Sequence, residues 1–208
     1  MQAIVYRLLH MTAAADNGYR DRLRGATGTA HVRLDTRFAQ GLRTHAQYRT
    51  YVLGMQAFVA NAERALACAM LGPAWRAWRD PARTQWLDDD LHAMQVPALA
   101  EGPAMTVGSD ADAAGLFYVI EGSALGATQL LGDAQALGHG PGTGATFLSR
   151  HGGFGAGKRW RAFVADLERA AFGPADERQM LASAARAFAC AEFEFHRADL
   201  AHQGVEGR

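Results

Sequence analysis

Residues 47–70 read QYRTYVLGMQAFVANAERALACAM, and this stretch decides the fold class. Its apolar side chains recur at the spacing of an α-helix that buries one face. They are Tyr48, Tyr51, Val52, Met55, Phe58, Val59, Ala62 and Leu66. Leu71, Gly72 and Pro73 follow, and proline cannot continue a helix. The pattern therefore predicts one long helix over residues 47–70.

The same period extends over most of the chain. It predicts further helices over residues 23–38, 83–94, 109–131, 160–167 and 180–195, the third opened by Ser109 and Asp112 in the spacing of a capping box. All six prolines fall between periodic segments, and none of the segments alternates as a strand does. Eight glycines in residues 138–157 predict a flexible connection. We predict an all-α bundle of about seven or eight helices.

Composition narrows the functional classes. With 208 residues and 49% hydrophobic side chains, the chain is expected to form one domain over residues 1–208, with flexible ends at 1–19 and 203–208. A net charge of zero speaks against nucleic acid and against an anionic membrane as partners. The apolar stretch from Ala3 to Leu9 is too short to span a bilayer. We predict a cytoplasmic protein that binds neither.

Neither the cysteines nor the phosphate-loop-like segment predicts chemistry. Cys68 and Cys190 lack CxxC spacing and are predicted to be small buried side chains. Residues 152–159, GGFGAGKR, nearly match the phosphate loop G-x-x-x-x-G-K-[ST]. However, Arg159 stands where a hydroxyl would hold magnesium, and no strand precedes the loop. Nucleotide binding is therefore not predicted.

Three glycines lie inside the helix predicted over residues 109–131. They are Gly115, Gly122 and Gly126, and each costs about 1 kcal/mol relative to alanine within a helix. Gly122 and Gly126 share one face, with Ser123 beside them, and so expose a strip of backbone. That strip suits either a flat ligand or a close contact with another helix. Spacing alone favours the helix contact.

His31 is the best placed of the eight histidines. No two of them form HExxH or a comparable pair, which leaves a single axial imidazole as the metal ligand that the pattern permits. His31 shares a helical face with Thr27, Leu34 and Phe38, and Asp35 lies where it can orient the ring. Taken alone, this pattern is more typical of a core histidine than of a ligand.

Two motifs together resemble those of haem oxygenases. Residues 23–35, LRGATGTAHVRLD, resemble the first-helix motif LRxxTxxxHxxLD, and residues 118–126, YVIEGSALG, resemble the distal motif YVxEGSxLGG. Bacterial enzymes, including those paired with bacterial phytochromes, match best. The resemblance implies a haem oxygenase-like bundle in which haem is both cofactor and substrate. Dioxygen and external electrons would then convert haem to biliverdin, carbon monoxide and ferrous iron.

The resemblance also implies residue roles. His31 would ligate the iron, with Asp35 orienting it, and Gly122, Ser123 and Gly126 would cover the other face of the haem. Arg24, Lys158 and Arg161 would meet the propionates. Ala127 departs from the family pattern, because it replaces the last glycine of the distal motif. Ser123 differs from many animal-type members, which have aspartate there, whereas bacterial relatives commonly have serine.

The sequence and the resemblance also indicate an electron donor and a biliverdin acceptor, and they leave two alternative functions open. The chain carries no flavin or nicotinamide fingerprint, so a reductase or ferredoxin is expected to supply electrons. A bacteriophytochrome is the biliverdin acceptor that the phytochrome-associated enzymes imply. One alternative is a haem carrier or sensor that has lost turnover through Ala127. Another is a helical interaction protein, or a thiaminase-like enzyme, that binds no haem.

Overall fold

The computed structural model describes residues 18–206, with side chains as far as residue 202. This part of the chain forms eight helices and no strand, which confirms the all-α prediction. The helices are α1 Tyr19–Phe38, α2 His45–Cys68, α3 Pro73–Arg76, α4 Ala82–Ala93, α5 Asp110–Ala136, α6 Thr146–His151, α7 Ala156–Glu168 and α8 Pro174–Glu206. Most of the predicted flexible ends, the apolar stretch from Ala3 to Leu9, and His10 lie outside the described residues.

Helix α8 is the longest described helix, and three other long helices pack against it. It has 33 residues and packs against α5, α2 and α1, while α7 lies against α5 and α1, and α6 against α4 and α5. Gly54 lets α2 approach α8 closely, because a Cβ there would stand 2.3 Å from the Phe195 ring. Between residues 18 and 206, no helix has both the length and the apolarity to cross a bilayer.

Side-chain caps stand at the start of α2 and of α5, and the sequence predicts the one at Ser109. Thr44 and Gln47 form a complete capping box, so α2 begins at His45. The helix ends at Cys68, and both bounds lie within two residues of the predicted ones. At α5, the Ser109 hydroxyl accepts the amide proton of Asp112. The Asp112 carboxylate accepts from Gly108 instead of Ser109, one residue short of a reciprocal box. Local hydrogen bonds therefore set where both long helices begin.

Helix α1 is held by partly buried apolar side chains, Phe38 among them, and by charged groups. Leu23 and Thr27 are its only buried residues. The Glu168 carboxylate at the end of α7 accepts hydrogen bonds from the first amides of α1, those of Tyr19 and Arg20, both at 2.9 Å. Three ion pairs join α1 to α8, namely Arg22 with Glu177, Arg33 with Glu192, and Arg37 with Asp199. The face of α1 that carries His31 is therefore only partly covered.

The prediction of a flexible connection over residues 138–157 is wrong. The segment contains α6, whose first amides, on Thr146 and Phe147, donate to the Asp90 carboxylate at 2.6 and 2.8 Å. Tyr48 from α2 also donates to the Gly144 carbonyl at 2.6 Å. Several of the glycines adopt positive φ, Gly144 at 102° among them, so they shape tight turns.

The prediction that both cysteines are buried is also wrong. Cys68 is exposed, because it lies about 200° around α2 from Leu66, which is on the buried face. Cys190 is half-buried, with its Sγ 3.7 Å from the Asn61 side-chain nitrogen. Burial raises the pKa of the Cys190 thiol to about 11, so it is protonated at neutral pH.

Candidate functional site

His31 lies on a half-open stripe of α1. Its side chain is 43% exposed, and its ring packs 5.0 Å from the Phe188 ring of α8, centroid to centroid. Nδ1 stands 3.6 Å from a carboxylate oxygen of Asp35, whose side chain is 64% exposed. Nε2 is therefore the nitrogen left on the other side of the ring. His31 is not a sealed core histidine, and its position suits an axial ligand.

The three glycines of α5 have different surroundings. A Cβ built at Gly115 would stand 2.2 Å from the Met180 carbonyl oxygen of α8, so this glycine serves a close helix contact. At Gly122 the nearest atoms belong to the Trp160 ring, at an ordinary 3.6 Å. At Gly126, no described atom comes within 4 Å. The packing explanation therefore holds for Gly115, while Gly126 leaves backbone open to a ligand.

Ala127, the departure from the family motif, is buried away from this open face. Its methyl group packs against Gly152, where an added Cβ would stand only 2.6 Å from it. The alanine side chain thus fills the gap between α5 and the turn after α6. It does not add bulk beside Gly126.

Ser123 is held by a histidine that the sequence does not reveal. The Ser123 hydroxyl donates to the Ile120 carbonyl at 2.7 Å and lies 3.0 Å from Nε2 of His151. That nitrogen is also 3.1 Å from the Ile120 carbonyl, and a carbonyl only accepts, so Nε2 carries the proton. Burial, and next the positive charge of Arg83, lower the pKa of His151 to about 3. His151 is a neutral hydrogen-bond donor at physiological pH.

Tyr118 links α5 to α1 close to the candidate site. Burial raises the pKa of its hydroxyl, against the opposing effects of a hydrogen bond with Thr27 and of the Arg20 and Arg24 charges. Thr27 is one helical turn before His31, and Tyr118 is one turn before Gly122. The two helices that carry the predicted ligand and the glycine face therefore meet through these side chains.

The predicted cationic residues lie on two elements. Arg24 is half-buried on α1, whereas Lys158 and Arg161 are exposed in the first turns of α7. Trp160 stands between those two in sequence, and its ring lies 5.7 Å from that of Tyr118. The charge of Arg24 influences the pKa of the Tyr118 hydroxyl, so Arg24 lies near Tyr118. The contact between Tyr118 and Trp160 therefore brings α7 towards the end of α1 that carries Arg24. Arg20, which the sequence motifs do not single out, belongs to the same group.

Behind the glycine face lies a cluster of buried charges. Glu121 accepts hydrogen bonds from Arg159 of α7 through both carboxylate oxygens, at 2.7 and 2.9 Å, and a further one from Arg83 of α4. Arg83 and Glu121 are almost completely buried. Glu63 of α2 faces Arg83 at 3.7 Å, and desolvation raises the pKa of this carboxyl. Sequence spacing cannot reveal the cluster, because its members come from four helices.

The described residues fit a flat, anionic, metal-bearing group. They hold no cluster of three or more side chains of the metal-ligating types. One imidazole suits a metal that brings its own in-plane ligands, and a bare glycine face admits a flat ring system. Arginines on α1 and α7 suit carboxylates at the edge of such a group.

Comparisons with known proteins agree with this geometry. The family model "Heme oxygenase" matches residues 18–195. No curated protein matches the sequence. Among solved structures, the chain is similar to the haem oxygenase of Neisseria meningitidis, determined in NO- and CO-bound forms, with a TM-score of 0.72 and 23% identity. The match covers 87% of this chain and 92% of that one, and at this identity it bears on the fold alone.

Proposed function

The chain belongs to the haem oxygenase family, and on that premise we propose that it cleaves haem to biliverdin, carbon monoxide and ferrous iron. The reaction would use dioxygen and external electrons. The observation that carries this proposal is the open backbone at Gly126, which no packing partner in the described chain accounts for. A glycine there costs about 1 kcal/mol of helix stability without any gain from packing. Gly132 is equally open, but Gly126 shares a face with Gly122 in the distal motif, and that placement supports a ligand as the explanation.

His31 is proposed as the iron ligand. Half-exposure leaves its ring accessible, while Phe188 and Asp35 restrict the ring's orientation. A carboxylate near Nδ1 favours the tautomer with the proton on that nitrogen, which leaves the Nε2 lone pair for a metal. Haem, when bound, supplies a redox-active iron and the macrocycle that is cleaved.

The distal role is proposed for Gly122, Ser123 and Gly126. Gly126 leaves room close to the backbone of α5, and Gly122 lies in ordinary contact with the Trp160 ring. The Ser123 hydroxyl has a fixed direction, because it donates to Ile120 and accepts from neutral His151. With its pKa near 3, His151 holds this arrangement without adding a charge beside the site. Ala127 is buried elsewhere, which favours the enzyme over a carrier that has lost turnover.

Arg24, Lys158 and Arg161 are proposed to bind the propionates, with Arg20 as a fourth cation. Arginine suits this role, because its planar guanidinium can bind a carboxylate through two hydrogen bonds. The position of Arg24 beside Tyr118, against the helix that carries Gly122, supports its assignment to the same site. The exposure of Lys158 and Arg161 fits the mouth of a cleft.

The biological setting is part of the proposal. We propose a bacterial-type, cytoplasmic enzyme that takes electrons from a reductase or ferredoxin, as the family's need for an electron donor supports. Biliverdin transfer to a bacteriophytochrome stays a prediction from the sequence motifs, and no feature of the fold bears on it.

Haem titration of the wild type, His31→Ala and His92→Ala tests the binding step. We expect a shifted Soret band in the wild type and in His92→Ala, whose histidine is exposed on α4, and a different or absent band in His31→Ala. No Soret shift, or one that His31→Ala leaves unchanged, would contradict the proposal.

Turnover needs a second experiment. The ferric complex is reduced without oxygen and then exposed to air while a reductant is kept in excess, because cleavage of haem consumes electrons beyond the one that reduces the iron. The product is identified by chromatography. Loss of the Soret band with formation of biliverdin supports the oxygenase. A stable oxygen complex would instead identify a haem carrier or sensor.

A further inference from the structure

We propose that Arg83, Glu121 and Arg159 are positioning residues that set the rotation of α5 about its axis, and so decide which side chains face the haem. The inference rests on the proposed function. It concerns a cluster on the back of the helix, with no direct role in ligating the iron or binding the propionates.

The cluster joins α5 to two neighbouring helices at one residue. Glu121 receives the Arg159 fork from α7 and the Arg83 guanidinium from α4, so cations approach it from two directions. The Arg159 guanidinium also lies 5.2 Å from the centre of the Trp78 ring, which supports it from a further side. A bidentate contact fixes direction as well as distance. Glu121 is therefore clamped against rotation and against sliding.

Glu121 stands directly before the glycine face. On an ideal helix it lies about 100° from Gly122 and about 140° from Gly126, so its anchor is behind the exposed strip. Leu125 lies about 60° from Gly122, on the side towards Glu121, and it is exposed. A modest rotation of α5 would bring this leucine to the edge of the strip. The clamp keeps backbone there instead.

Stability alone is a poor explanation for this cluster. Desolvation of buried ion pairs offsets much of their attraction, and apolar replacements are often equally stable. The second buried carboxylate supports the same conclusion, because Glu63 stands 3.7 and 3.8 Å from Arg83 and Arg79, whereas Glu121 takes the close hydrogen bonds. The cluster is organised around the residue next to the glycine face, which indicates control of orientation.

The test compares Arg159→Lys and Glu121→Gln with the wild type. Arg159→Lys keeps the positive charge at a half-exposed position and removes the fork. The matched control is Arg169→Lys, at the C-cap directly after α7, whose pair with Asp166 is exposed. Three quantities are measured. The first is the dissociation constant of haem. The other two, taken on the haem-bound protein, are the C–O stretching band with carbon monoxide as probe and the ratio of biliverdin isomers.

We expect Arg159→Lys to weaken haem binding about tenfold, the effect of losing one charge-assisted hydrogen bond. It should also shift the C–O band and alter the isomer ratio, while Arg169→Lys matches the wild type. Unfolded chains bind no haem, so instability cannot imitate the last two changes. Wild-type bands and ratios in both cluster variants would overturn the inference alone. A wild type without a Soret band would overturn the proposed function, and this inference with it.

Discussion

In the first half of α5, every residue from 111 to 121 is buried, whereas among residues 122–132 only Ala124 and Ala127 are. The first half packs against α8, and Ser183 and Arg186 of α8 reach back to Asp112 near its start. The second half has its contacts on the side of α6 and α7 and leaves another side open. One continuous helix thus changes from a core element into a partly exposed one.

Glycine has a different purpose in each half. Gly115 lies where α8 backbone approaches too closely for any side chain, so protein packing requires it. Gly126 has open space around it within the described chain, so protein packing does not. Packing within the fold therefore explains Gly115, whereas the proposed function offers an explanation for Gly126. Single substitutions can separate the two.

The largest effect is expected from Gly115→Ala. The new methyl group would overlap the Met180 carbonyl oxygen and crowd the Ala184 amide, both of them backbone atoms that cannot move alone. The free energy of unfolding should fall by about 3 kcal/mol, at the upper end for overpacking. Denaturant unfolding measures the change. A stability equal to the wild type would mean that the two halves of α5 do not differ as described.

His151, which holds Ser123 in the second half of α5, should make the free energy of unfolding depend on pH. Its folded pKa is about 3, below the usual 6.5, so in acid the unfolded chain binds a proton that the folded chain excludes. This group should therefore remove about 2 kcal/mol of stability between about pH 7.5 and about pH 5. His151→Gln keeps a donor for Ile120 and Ser123 but does not titrate.

Unfolding of wild type and His151→Gln across this range gives the measurement. The carboxyl groups and the other histidines titrate in both proteins. The difference between the two curves therefore isolates the contribution of His151 to the free energy of unfolding. We expect the wild type to lose about 2 kcal/mol more than the variant as the pH falls. Parallel curves would show that the imidazole is not buried as a neutral group.

The smallest change in stability, and the one of opposite sign, is expected from Gly126→Ala. Alanine should stabilise the haem-free protein by up to about 1 kcal/mol, because the helix gains propensity and no described neighbour obstructs the methyl group. Under the proposed function the same methyl group should weaken haem binding. Gly132→Ala is the matched control, since Gly132 is an equally open α5 glycine about 240° around the helix.

Denaturant unfolding and haem titration of both variants test whether the open backbone at Gly126 serves a ligand. We expect Gly126→Ala and Gly132→Ala to gain similar stability and only Gly126→Ala to lose haem affinity. Equal haem affinity in both would remove the ligand explanation for Gly126.

Much of the fold could be predicted from sequence, because the signals are local. The period of the apolar residues predicts α2 and α5, and the cap at Ser109 locates the start of α5. The motifs around His31 and Gly122 predict the family that the family model identifies. The turn-forming glycines of residues 138–157 misled the prediction, because their composition does not show that Asp90 and Tyr48 hold the segment from other helices.

By itself, the sequence determined the six longer helices, the family and the face on which His31 and the glycines lie, since residues three or four apart on a helix are neighbours whatever surrounds them. The short helices α3 and α6 are not predicted by the sequence. Only the tertiary structure decided which glycine packs and which stays open, that Ala127 is buried, that His151 holds Ser123, and that Glu121 joins three helices. Each of these depends on residues far apart in the chain. Such contacts arise from how the helices pack, and a local pattern cannot specify that.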